Sequence, residues 1–325
     1  MSKWQFTKGL HDLGNGSWAY LQPSGTWGYS NAGLVSDGDQ SLLVDTLFDE
    51  RLTAEMLGVM KKGAGFGADE IGVVVNTHSN GDHTFGNRLA KNAVIYASEA
   101  CAHEMREEGK PDLLAQMMKN ADTMGEVGAF FKRIFGAFDF AGVTLRLPDR
   151  TFKGELTLKV GNKDVRLIQV GPAHTAGDVI AYVPADRVVY GGDILFIEGT
   201  PIAWAGPVSN WIRACDLIMS LDVEAIVPGH GPITDKAGVK RMQDYLVFVD
   251  AESRKRQAAG MDAWQAAQDI ALGSFGKWLD AERLAVTVNT IYRELGAPSA
   301  SRSTVELFGR MVELERRYSA ERRGA

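Results

Sequence analysis

An α/β layered architecture is predicted by three features of this sequence. Short aliphatic runs, Ser41-Leu42-Leu43-Val44-Asp45-Thr46, Val73-Val74-Val75 and Val94-Ile95-Tyr96-Ala97, read as buried strands. Stretches of helical periodicity separate them, so strand and helix alternate along the chain. The strand exits turn abruptly into loops rich in Gly, Pro, Asp and His, the places where layered folds present function.

Composition narrows the class. The chain has 325 residues, enough for one large domain with a decoration or for two domains. Apolar content of 45% and charged content of 23% are those of a soluble globular protein. A formal net charge of −6 argues against a general nucleic-acid binder. No apolar run reaches about 18 residues, so no membrane span is expected. The start Met1-Ser2-Lys3-Trp4-Gln5-Phe6 lacks the apolar core of a signal peptide. Cys101 and Cys215 are the two cysteines and form no CxxC, which excludes a disulfide framework and a cysteine zinc site. The expectation is a cytoplasmic soluble protein.

The elements follow in order. Ser17-Trp18-Ala19-Tyr20-Leu21 is a strand candidate; Pro23-Ser24-Gly25 is turn chemistry, and Asp37-Gly38 a hairpin turn ahead of Ser41–Thr46. Asp45 closes that strand, at an end where a buried carboxylate can support a functional side chain from one layer behind. Leu52 to Lys62 reads as an amphipathic helix closed by Gly63, and Thr84 to Ala90 as a helix starting beside the loop after Val75. Residues 99–146 contain two or three helices rich in Met and Phe. Phe130, Phe131, Ile134, Phe135 and Phe138 recur at helical spacing and form one apolar face. Two readings of that face stay open, core and a lid over a substrate. His103, beside acidic residues, reads as a surface histidine. Strand texture returns from Thr151 to Val170, with turns at Lys153-Gly154 and Gly161-Asn162. Val179–Val183 and Arg187–Tyr190 then pair across Pro184-Ala185-Asp186, and Ala225-Ile226-Val227 follows.

Residues 236–325 form a helical, charged extension anchored by Trp264, Trp278 and Tyr292 and broken at Gly296-Ala297-Pro298. The helix Ser303 to Arg317 carries Val305, Leu307, Phe308, Met311, Val312 and Leu314. Its Arg-rich end, Glu315-Arg316-Arg317 to Arg322-Arg323, reads as a solvated face and frayed terminus. The extension is expected to pack on the first 235 residues, with dimerisation and closure of the pocket both open as roles.

The chemistry sits in the loops. Val73-Val74-Val75 runs into Asn76-Thr77-His78-Ser79-Asn80-Gly81-Asp82-His83, two imidazoles and a carboxylate within six residues. Neutral nitrogen and anionic oxygen are what Zn²⁺ or Fe²⁺ accepts. His174 lies in Gly171-Pro172-Ala173-His174-Thr175-Ala176-Gly177-Asp178. Asp193 follows Gly191-Gly192, where paired glycines let the backbone approach closely and aim the acid. His230 sits in Pro228-Gly229-His230-Gly231-Pro232. Four of six histidines share this strand-exit context, which scattered core histidines would not.

This ordered set, Asp45, His78 to His83, His174, Asp193 and His230, resembles the metallo-β-lactamase superfamily over about residues 16–235. The resemblance implies a four-layer αββα sandwich with metals at one edge among the loops. It implies one metal position from His78, His174 and a bridging Asp193, and a second from Asp82, His83, His230 and the same Asp193. Asp45 and Asp178 are expected one layer behind the ligands. The family pattern is His-x-His-x-Asp-His, and Asn80 stands here in place of the second histidine. An amide oxygen is a weaker zinc ligand than imidazole, and an amide also donates hydrogen bonds. Unequal affinities at the two positions follow, with Asn80 either a ligand or a hydrogen-bonding neighbour.

The function expected first is hydrolysis of an ester, thioester, lactone or β-lactam with one or two Zn²⁺ ions, iron or manganese being alternatives, with Asp82 and Asn80 at the reacting centre. A non-haem iron oxidoreductase using His78, His174 and Asp193, or a binding protein that has lost catalysis, are the competing readings.

Overall fold

The computed structural model describes residues 4–25, 27–107 and 110–324, without side chains for 321–324. Sequence neighbours such as Leu42 and Leu43, Val74 and Val75, and Ile180 and Ala181 are all buried. Side chains alternate between the faces of a strand, so these strands are covered on both sides.

Seven strands form one sheet in chain order: β1 (Gly9–Gly14), β2 (Ser17–Leu21), β3 (Ala32–Asp37), β4 (Gln40–Val44), β5 (Val73–Val75), β6 (Val94–Ser98) and β7 (Arg150–Phe152). β1 to β4 is an antiparallel meander, and β4 to β7 run parallel. The second sheet has the order β12-β11-β10-β9-β8, from β8 (Glu155–Val160), β9 (Lys163–Gln169), β10 (Val179–Val183), β11 (Val188–Tyr190) and β12 (Ala225–Val227). Only its β11–β12 pair is parallel.

The inner faces meet in one cluster, with Ala19, Leu21, Val35, Leu42, Val44 and Val75 facing Val165, Leu167, Ala181, Val183 and Val188. Each fully buried Val or Leu side chain among them contributes about 1.5–3 kcal/mol. Tyr190 bridges the sheets: its hydroxyl donates to the carbonyls of Trp18 (3.1 Å) and Leu34 (3.2 Å). Its ring fits because Gly33 has no side chain; a Cβ there would lie 2.3 Å from the ring. The outer faces join the cluster that contains Met56, Leu57 and Met60 of α1 (Glu50–Ala64), and Trp211 and Ile218 of α6 (Val208–Ser220). The result is the αββα sandwich that the sequence predicts.

Local boundaries differ from the sequence reading in four places. α1 starts at Glu50, capped by Asp49, whose carboxylate accepts from Leu52 N at 2.6 Å, and ends at Gly65 (φ 88°), not Gly63. Thr84 to Ala90 is not one helix. A short turn, α2 (Gly81–Thr84), starts inside the ligand loop, and a 3₁₀ turn covers Asn87–Leu89. Gly86 N donates to Leu47 O, and Asn87 bonds sideways to Asn76, so the chain is tied to its neighbours and not to its own helix. β1 had no recognisable alternation of its own. The last helix, α10 (Thr304–Gly324), continues past Arg317 where fraying is expected, and Arg316 pairs with Glu126 at 2.8 Å. The side chains of Arg322 and Arg323 lie outside the described residues.

The insert forms α3 (Glu99–Glu107), α4 (Pro111–Asn120) and α5 (Gly125–Phe135), with His103 exposed on α3. The extension adds α7 (Lys236–Ala258), α8 (Ala263–Asp269), α9 (Leu284–Glu294) and α10. α9 is buried from Leu284 to Tyr292, and its Thr290 hydroxyl donates to Ala203 O at 2.6 Å. α10 lies on α5: Phe308 packs 4.8 Å from Phe131, and Glu315 pairs with Arg133 at 2.6 Å. Insert and extension thus form one wall beside the strand-exit loops.

Candidate metal centre

Asp45 ends β4 in the left-handed region (φ 63°), a conformation that costs a non-glycine residue of order 1 kcal/mol or more. Its bonds hold it there. One oxygen accepts from Thr77 N (2.7 Å); the other accepts from the Thr77 hydroxyl (2.7 Å) and lies 2.9 Å from His83 Nδ1. The Thr77 hydroxyl hydrogen is directed at Asp45, so Thr77 Oγ1 accepts from His78 Nδ1 at 3.0 Å. One carboxylate therefore orients two histidines.

The other two histidines are fixed by carbonyls, His174 Nδ1 by Ile202 O (2.6 Å) and His230 Nδ1 by Tyr29 O (3.2 Å). Carbonyls and carboxylates only accept, so each Nδ1 carries the hydrogen, and Nε2 is the nitrogen that turns inward to meet a proton or a cation. All four Nε2 atoms surround Asp193. His83 lies 3.1 Å from its Oδ1; His174, His230 and His78 lie 3.3, 3.4 and 3.7 Å from its Oδ2. Asp82 Oδ2 is 3.3 Å from His230 Nε2 and 3.9 Å from His83 Nε2. Asn80 Oδ1 is 2.8 Å from His174 Nε2. Nε2 of His78 and His83 and Oδ1 of Asp193 are buried with no hydrogen-bond partner. Buried lone pairs without donors are costly unless a cation satisfies them, and imidazole nitrogen with carboxylate oxygen is a donor set for a divalent metal such as zinc.

The electrostatics agree. Burial alone would raise the Asp193 carboxyl, but His230, His83, His78 and His174 hold it well below the usual carboxylate range. Burial, helped by His83, pulls His78 well below an ordinary imidazole, and burial also lowers His174. Burial would depress His83 and His230 too; the carboxylates around them, Asp193 foremost, reverse this and raise both. The cluster favours positive charge at its centre.

Every sequence-predicted ligand therefore comes to one place, with two differences in detail. The groups whose ligand atoms lie within 4.8 Å of one another are His78, His83 and Asp193, and Asp82, His83 and His230. His83 has a ligand atom in each of these two groups, whereas the resemblance places it in the second position. Among the described residues Asp178 makes no hydrogen bond to a ligand ring. It accepts from Thr175 N and from the Thr175 hydroxyl (2.7 Å), fixing the loop after His174, and burial pushes its carboxyl up to about 8.

Close packing fixes the loops. A Cβ on Gly192 (φ 50°) would lie 2.5 Å from Thr77 Oγ1, and one on Gly229 would lie 2.0 Å from Asp193 Oδ1. Other supports carried no local signal in the sequence. Asn31 donates to the carbonyls of Pro228 (3.0 Å) and Gly231 (2.8 Å), clasping the His230 loop. Asn76 and Asn87 exchange amide bonds, and Asn76 donates to His83 O. Glu104 of α3 accepts from the Ser79 hydroxyl (2.9 Å) and from Ala176 N (3.0 Å), tying two ligand loops together.

A cavity of about 280 Å³ opens over Asp82, His174, Asp193 and His230, walled by Trp27, Phe48, Phe135, Phe196, Trp204 and Phe308. Phe196 stacks on His230 at 5.1 Å. Behind it Arg283 is buried, with its guanidinium 4.1 Å from the Trp27 ring. Phe135 forms part of this wall, whereas Phe131 packs behind it.

The sequence pattern of the Metallo-beta-lactamase superfamily matches residues 25–230. The chain is 24% identical over 217 residues to "Beta-lactamase-like protein 2 homolog" of Caenorhabditis elegans, covering 67% of this chain and 60% of that protein. It is 23% identical over 221 residues to "Metallo-beta-lactamase type 2" of Bacillus cereus, covering 66% and 72%. Among solved structures, the sec-alkylsulfatase Pisa1 from Pseudomonas sp. superposes with a TM-score of 0.69 at 14% identity, over 91% of this chain and 51% of that one. A metallo-beta-lactamase from Pontibacter korlensis gives 0.55 at 20% identity, over 73% and 98%. The chain thus spans three fifths of the first relative and about half of the alkylsulfatase. At these identities the structural likeness is one of fold.

Proposed function

The chain belongs to the metallo-beta-lactamase superfamily, and on that footing we propose that it is a metal-dependent hydrolase cleaving an ester, thioester, lactone or β-lactam bond in a small molecule with an apolar body. One observation carries this reading: four imidazole Nε2 atoms and the carboxylates of Asp82 and Asp193 converge at the floor of an aromatic-walled cavity.

His78, His83, His174, His230, Asp82 and Asp193 are the residues to hold the metal, with zinc the ion best suited to this nitrogen and oxygen set. When bound, such a cation supplies Lewis acidity, making water a nucleophile near neutral pH and polarising an acyl carbonyl. The protein does the rest. Asp82, the more exposed of the two site carboxylates, is held below its ordinary value by His83 and His230 despite its burial. That keeps it a carboxylate, placed to accept a hydrogen bond from the attacking water and orient it. Asp45, Ile202 O and Tyr29 O keep each ring's lone pair directed inward. The aromatic wall seats the acyl group and excludes bulk water.

The test is a panel of acyl esters, thioesters, lactones and β-lactams assayed with zinc-loaded and chelator-stripped protein. Hydrolysis of at least one class that disappears on chelation and returns with zinc is expected. Turnover indifferent to chelation would overturn the reading.

A further inference from the structure

The metal-side cavity adjoins a second one of about 450 Å³, and Ser79, Asn80, Glu104, Trp204, Thr304 and Phe308 line both. The two differ in character. The first is walled by aromatic rings; the second adds Arg293 and Arg302. Arg293 donates from one terminal nitrogen to the carbonyls of Trp204 (2.7 Å) and Ala205 (2.9 Å). Among the described residues neither arginine has a carboxylate within ion-pair distance, although ion pairs occupy most other arginines of the chain. Glu104, the carboxylate at the junction, already accepts from Ser79 and Ala176. Lys110 adds a third cation at the rim of the first cavity.

Two guanidinium groups outside ion-pair distance of any described carboxylate, Arg293 with Glu294 as a through-space neighbour, thus line a cleft in a protein of formal net charge −6. Positive charge gathered along a cleft concentrates anions, and guanidinium forks match carboxylate, sulfonate and phosphate oxygens. Asn80 joins the two spaces, standing 2.8 Å from His174 in one and lining the other. We propose that the second cavity is an anion subsite: the substrate carries, away from its reacting bond, an anionic oxygen group held by Arg293 and Arg302, while its apolar body lies in the aromatic cavity. This rests on the hydrolase reading for the identity of the reacting end, and on the cavities alone for the anion.

The probe pair is 1-octanesulfonate and 1-octanol, titrated calorimetrically into the zinc-loaded full chain. The sulfonate is expected to bind at least about tenfold more tightly, a preference that shrinks with added salt. Arg302 is exposed and makes no described bond, so R302M leaves the fold intact. In R302M the preference should fall to about threefold or less, with octanol affinity and zinc content unchanged. R293M should act in the same direction, and the double variant should abolish the preference. Absence of a preference in the wild type overturns the subsite, as does a preference that survives the double variant, because the metal would then be the anion's partner. A sulfonate preference in a protein that hydrolyses nothing on the panel would sink the hydrolase reading and keep the subsite. Hydrolysis without the preference would do the reverse.

Discussion

The Asp45 carboxylate lies 2.9 Å from Nδ1 of His83 and, through the Thr77 hydroxyl, also governs His78. Burial raises this carboxyl against the opposing pull of His83 and Thr77. It is kept in a strained backbone conformation because both rings depend on it. Asp45→Asn retains an acceptor and tolerates a positive φ, but lacks the charge. Zinc affinity should fall by about 10- to 100-fold, the usual loss when a group orienting a ligand is removed, with little change in the fold. Competition titration with a chromophoric chelator measures it; unchanged affinity would show that Asp45 only shapes the loop.

Asn80 stands where the family pattern has histidine, and its Oδ1 faces His174 Nε2 at 2.8 Å. Both atoms are acceptors once the His174 hydrogen sits on Nδ1, so the contact calls for a shared proton or cation, and Asn80 borders the position that His174 serves. Asn80→His should strengthen that position and raise zinc stoichiometry toward two per chain, read by elemental analysis after dialysis. An unaltered stoichiometry would mean that Asn80 does not limit it.

Phe135 and Phe131 separate lid from core. Phe135 walls the metal-side cavity; Phe131 sits behind it against Phe308. Phe135→Ala should raise KM for bulky apolar substrates by about one to two orders of magnitude and spare small ones. Phe131→Ala should cost about 3–5 kcal/mol of stability and leave KM of the folded fraction unchanged. Thermal midpoints and KM on the same two variants decide, and equal KM effects would end the distinction.

What was legible in the sequence was local. Val73-Val74-Val75 followed by His78 to His83 announces strand, loop and ligands within eleven residues, and Gly191-Gly192-Asp193 does so within three. Asn31 clasping the loop around His230 was not legible, because its meaning lies two hundred positions away. Glu104 looked like any acid on an exposed helix until α3 placed it between two loops. The central place of His83, with a ligand atom in both close groups of side chains, also depended on three-dimensional placement, since nothing local announces it. Helix ends were set by contacts such as Gly86 N to Leu47 O, which no periodicity records.

Glu282 supplies a pH-dependent term away from the metal. Burial, with Asp280 nearby, pushes its carboxyl up to about 7, from an ordinary 4.5, although Trp27 Nε1 donates to it at 3.3 Å. The folded chain holds this proton more tightly than the unfolded one. Stability from this group is therefore complete below about pH 4.5, falls as pH rises toward 7 and stays low above it. Glu282→Gln removes the slope. Relative to wild type its thermal midpoint should rise between pH 5 and pH 8, by the equivalent of at most about 3 kcal/mol. Parallel midpoint curves for the two proteins would contradict the assignment.

The most direct test of the central claim is elemental analysis of protein purified without added metal, paired with hydrolysis of the best panel substrate as zinc is removed and restored. One or two zinc ions per chain, with activity rising in proportion to zinc content, is the predicted result. A chain that retains no zinc after reconstitution, or one that carries iron and consumes oxygen without hydrolysing the panel, would contradict it.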